Sequence, residues 1–63
     1  MIALKNTDKV MRLFDIVVNE CCCAWSIFLD NVESEGWTSE MLQREIDMCN
    51  CNGDFMRLAG KFV

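Results

Sequence analysis

The chain contains no histidine and no proline, and only three glycines among its 63 residues. Without an imidazole it lacks the side chain that most often acts as a general base near neutral pH. Cysteine nucleophiles rely on a histidine base or a basic environment, so the five cysteines do not point to catalysis. No enzymatic activity is expected. The scarcity of Pro and Gly leaves long stretches without a turn signal, which excludes a sheet of many short strands. A hydrophobic content of 52% excludes a disordered chain.

Basic residues are also few: six Lys and Arg against ten acids give a formal charge of −4. Lys5, Lys9, Arg12, Arg44, Arg57 and Lys61 are scattered along the chain rather than gathered into a stripe, so direct binding to nucleic acid is not expected. The acids, by contrast, are segregated. Residues 30–54 hold Asp30, Glu33, Glu35, Glu40, Glu45, Asp47 and Asp54 against Arg44 alone, whereas residues 1–29 balance three acids with three bases.

An odd number of cysteines and the lack of a leader pattern at the start predict a reducing, cytoplasmic location. The most apolar stretch, Leu13 to Leu29, carries Asp15, Asn19 and Glu20, which makes a soluble helix the better reading than a membrane span.

What is present favours a single all-helical domain over residues 1–63. Met1 to Asn6 carries no strong signal. Thr7 and Asp8 supply a cap and a first-turn acid, and no Gly or Pro follows until Gly36, so a single long helix is predicted over about 7–34. On a helical projection Asp8, Arg12, Asp15, Asn19, Ser26, Asp30 and Glu33 form one polar stripe. Val10, Phe14, Val17, Cys21, Trp25, Phe28 and Val32 lie opposite, flanked on one side by Met11, Val18, Cys22 and Leu29 and on the other by Leu13, Ile16, Ala24 and Ile27. Two short helices are predicted at about 39–51, with Met41, Leu42, Ile46 and Cys49 inward and a Glu40–Arg44 pair outside, and at about 54–61, capped by Asp54.

A helix of 28 residues would be about 42 Å long, against a diameter of about 27 Å for a globule of this size. The long helix is therefore expected to project and to pair with a second copy through Val10, Phe14, Val17, Cys21, Trp25, Phe28 and Val32.

Three functions fit. The first is a small interaction module, a regulator or inhibitor that offers Asp30, Glu33, Glu35, Glu40, Glu45 and Asp47, with Trp37 as an anchor, to a basic protein. In size and charge the chain is similar to small acidic inhibitors of phages and other mobile elements, including anti-CRISPR and anti-restriction proteins, and that similarity implies a nucleic-acid-binding protein as the target. The second is a thiolate site for Cu(I) or Zn(II) built on Cys49 and Cys51. The third is a structural subunit of a helical hetero-oligomer. No cofactor is expected for the first or third.

Overall fold

Thr7 starts the first helix as its sequence suggests: its hydroxyl accepts the Val10 amide at 3.2 Å, and Asp8 follows in the first turn. In the computed structural model, which describes residues 1–63, the chain forms four helices and no strand. These are α1 (Asp8–Asp15), continued by a π-helical turn at Ile16–Glu20, then α2 (Trp25–Ser34), α3 (Ser39–Met48) and α4 (Asn52–Gly60). Residues 1–6 run as an extended arm beside α3.

The predicted long helix is therefore two helices, and the break falls on the cysteine triplet. After the π turn, Cys21 closes a wide ring to the Ile16 carbonyl, Cys22 enters the left-handed region at φ 54°, and the Cys23 amide bonds back to the Val17 carbonyl at 3.0 Å. Ala24 is extended, and α2 starts in a new direction.

The turn resembles the glycine-closed end of α2, with one more residue in the ring. There Gly36 has φ 83°, Gly36 donates to the Glu33 carbonyl and Trp37 to the Val32 carbonyl, the pairing of a Schellman cap. At Cys22 the same device is built without glycine, so the sequence carries no stop signal.

The reason for the break is spatial. The molecule measures 25 × 22 × 18 Å, so a helix of about 42 Å could not lie within it. Folding α2 back lets α1 pack on α3 and α4 while the π turn packs on α2 and α4. Thirteen apolar residues close one core, among them Leu13, Ile16, Val17, Phe28, Val32, Leu42, Ile46, Phe55 and Leu58.

The inward face of α1 thus centres on Leu13, Ile16 and Val17, not on Val10, Phe14 and Val17. Of the residues expected to pair two copies, Val17, Phe28 and Val32 are buried within the single chain, Val10, Cys21 and Trp25 are half-buried against its core, and Phe14 is exposed. With the helix broken, the length argument for a projecting dimer no longer applies.

Five of the six aromatic rings join in one chain of contacts. Phe14 meets Trp25 edge-on at 5.3 Å, Trp25 stacks on Phe28 at 5.3 Å, Phe28 meets Phe62 at 5.9 Å, and Phe62 meets Trp37 at 4.9 Å. Phe55, the sixth, lies under the Arg12 guanidinium at 5.7 Å.

The later helices differ less from expectation. Thr38 caps α3, accepting the Met41 amide at 3.2 Å, but α3 ends at Met48 because Cys49 is extended. Gln43 is buried in place of Met41, and Glu40 makes no ion pair with Arg44. Helix α4 starts two residues earlier than predicted, with Cys51 at the cap position. Asp54 sits inside the first turn and accepts the Asn50 amide at 3.0 Å.

A non-glycine residue in the left-handed region costs about 1–2 kcal/mol, and glycine returns part of that gain through its freer unfolded state. Cys22 is exposed, so replacing it loses no packing. Cys22→Gly should stabilise the fold by about 0.5–1 kcal/mol, raising the melting temperature by roughly 2–8 °C. Cys22→Val should lower it, since a β-branched residue tolerates this conformation least. Thermal denaturation followed by circular dichroism reads both; equal melting temperatures for the two variants would show that the turn is not strained.

Candidate functional site

The acids that stand together in the sequence are dispersed in space. Asp30 and Glu33 lie at the end of α2, Glu40 in the first turn of α3, and Glu45 and Asp47 in its second half. Glu45, with Asp54, borders a cleft of about 250 Å³ between α3 and α4 whose opposite wall is Arg57 and Lys61. Asp47 lies beside basic groups too: its carbonyl accepts the Lys9 ammonium at 2.7 Å and its carboxylate accepts Gln43 Nε2 at 3.1 Å. Glu35 shares a shallow depression with Lys61. These acids have cations as neighbours.

Asp30, Glu33 and Glu40 are arranged differently. Asp30 and Glu33 line one cleft, Glu33 and Glu40 the adjoining one, and neither cleft contains a Lys or Arg side chain. The one cation in these two clefts is the ammonium of Met1, 2.7 Å from Glu33 Oε1 in the only ion pair of the molecule, while on its other side Glu40 borders a cleft with Lys5 and Arg44. The structure thus brings together three of the six acids proposed from sequence and forms an acidic edge at the α2–α3 corner.

Trp37 stands at that corner. Its ring is half-buried against Phe62, with the Lys61 ammonium 6.0 Å above it, and its exposed part lines the cleft between Glu33 and Glu40. It fixes the corner first and only partly faces outward.

The thiols do not gather. Cys49 is buried and donates its S–H to the Glu45 carbonyl at 3.2 Å, one turn back along its own helix. Burial pushes the Cys49 thiol up from its ordinary value, and the nearby carboxylates of Asp54 and Glu45 add to this more than Lys9 opposes it. Cys51 is exposed, and no group of three Cys, Asp or Glu side chains is placed to hold a metal ion. Asp54 moves the other way: the Asn50 amide, then the Cys51 thiol and amide, hold its carboxyl below the usual carboxylate range, against a smaller opposing effect of desolvation.

The sequence reading missed the groups that organise this edge. Ser39 Oγ accepts the Ala3 amide at 2.8 Å and Gln43 Oε1 accepts the Lys5 amide at 2.9 Å, which fastens the arm to α3. Gln43 carried a signal, as a polar residue one position from the inward Leu42 and three from Ile46, the kind of placement that requires a buried partner.

No helix is long and apolar enough to cross a membrane. Comparison with family models, curated proteins and solved structures finds no match.

Two measurements check the thiols. A maleimide or disulfide reagent should modify Cys22 and Cys51 fastest, Cys21 and Cys23 more slowly, and Cys49 only when the protein opens, as peptide mapping would show; early labelling of Cys49 would contradict its burial. Because the folded Cys49 thiol binds its proton more tightly than the unfolded one, the stability this confers is complete below the unfolded value of 9.0 and is lost as pH rises above it. Cys49→Ala should remove that alkaline limb from the pH–stability profile. Asp54, being depressed, acts in reverse: its contribution is present above the unfolded value of 3.8 and is lost as pH falls, so Asp54→Asn should flatten the acid limb.

Proposed function

We propose that the protein is a binding module whose acidic edge, Asp30, Glu33 and Glu40, engages a basic surface on a partner protein. The carrying observation is that these carboxylates border two adjoining clefts that contain no Lys or Arg side chain; Glu40 also borders a third cleft with Lys5 and Arg44 on its far side, and Glu33 is paired with the Met1 ammonium. An edge with an excess of carboxylates steers a basic partner and competes with phosphate for the same cationic groups. This agrees with a regulator or inhibitor of a protein that binds nucleic acid.

The carboxylates of Asp30 and Glu40 make no hydrogen bond or ion pair within the chain, so reversing them removes no side-chain bond of the fold. Wild type, Asp30→Lys/Glu40→Lys and the remote control Asp8→Lys/Glu20→Lys should be used as baits in parallel. A basic protein should be retained by wild type and control, with affinity lowered about 10-fold or more by the edge reversals and by raising salt. Equal retention by all three baits would overturn the assignment.

A further inference from the structure

The arm at residues 1–6 lies along α3 in a register that suits any extended peptide. Its backbone nitrogens donate at every second residue: the Met1 ammonium to Glu33, and the Ala3 and Lys5 amides to Ser39 and Gln43. Two extended residues advance about 6.6 Å and one row of four helical residues about 6.0 Å, so alternate arm amides meet Ser39 and Gln43 in step. Between them Ile2 is buried in the core and Leu4 half-buried against it.

Apart from the bond of its closing turn, the arm makes no backbone-to-backbone bond to the rest of the chain, so its departure leaves every helical hydrogen bond in place. It ends at a tight turn, where the Thr7 amide bonds to the Lys5 carbonyl across Asn6 at 3.0 Å, a natural hinge. It also underfills its groove. Clefts of about 500 Å³ and about 430 Å³ flank it, the second reaching Glu40, Arg44 and Asp47, and the residue between them is only alanine.

We infer that this groove is a binding site for an extended peptide segment of a partner, and that the arm is its built-in, displaceable occupant. The segment is aliphatic at alternate positions, as Ile2 and Leu4 are. It is basic between them, because the groove's flanking rim carries four acids, Asp30, Glu33, Glu40 and Asp47, against Arg44 alone once the arm leaves. Backbone amides are read by Ser39 and Gln43, a strand-like mode of recognition that leaves specificity to the side chains. The preference for basic residues rests on the acidic edge proposed above; the groove geometry does not.

The test uses the full-length, isotope-labelled protein and a synthetic hexapeptide with the sequence of residues 1–6 carrying Ala3→Arg. In the free protein, the Ala3 and Lys5 amides should exchange with solvent at least about 100-fold faster than those of Phe28 and Ile46, through local opening. The peptide should shift the Ser39 and Gln43 resonances saturably and speed exchange at Ala3 and Lys5 further, while a version with Ile2→Ser and Leu4→Ser should do neither.

Arm amides that exchange as slowly as the core, or no shift at millimolar peptide, would overturn the inference. A captured basic partner that depends on Asp30 and Glu40 yet leaves arm exchange unchanged would sink the groove and spare the acidic edge. Arm displacement by the peptide, with capture indifferent to charge reversal, would do the opposite.

Discussion

The fold depends on one turn, the reversal at Cys21 to Ala24 that breaks α2 away from the line of α1 and packs it against the π turn. Holding Cys22 in the left-handed region costs about 1–2 kcal/mol. What it makes possible is larger: Phe28 and Val32 become fully buried, each such side chain contributing about 1.5–3 kcal/mol. The same reversal brings Phe14 of α1 onto Trp25 of α2 and so completes the aromatic chain that runs to Phe62 and Trp37. Four such pairs, at about 0.5–1.5 kcal/mol each beyond their burial, are comparable with the whole net stability of a small domain. The local strain is therefore outweighed by the packing it permits.

That chain also connects the core to the candidate site. Phe62 wedges Trp37 into the α2–α3 corner, and Asn31 Nδ2 ties the end of α2 to the Phe62 carbonyl at 2.7 Å. The corner carries Glu33 and Glu40 on either side of Trp37. The acidic edge is thus mounted on rigid helix ends rather than on a loose loop, which preserves the spacing of its charges. The arm closes the same corner from outside and brings Ile2 into the core beneath it.

Much of the local structure was legible in the residues. Thr7 and Gly36 mark the ends they were expected to mark, and Phe55, Leu58 and Ala59 form the inward face of the last helix, with Phe62 buried just beyond it. The polar stripe from Asp8 to Glu33 is exposed throughout. The break was not legible, because a π turn and a left-handed cysteine use neither glycine nor proline and leave the apolar pattern unbroken. The acidic block misled for a related reason: charge counted along the chain ignores that the C-terminal segment, the arm and α1 bring Arg57, Lys61, Lys5 and Lys9 beside Glu45, Glu35, Glu40 and Asp47.

The sequence by itself determined that the chain is helical, where its first helix starts, and that its net charge is negative. Those properties follow from capping side chains, the absence of Pro, and composition, all of which act over a few residues. Tertiary structure alone decided that the longest helical stretch folds back, that one chain closes its own core, and that Asp30, Glu33 and Glu40 rather than the whole acidic block share an edge. These outcomes depend on which surfaces meet. An apolar arc too wide for one neighbour is buried as well by bending the helix as by pairing two copies, and only the three-dimensional packing distinguishes the two.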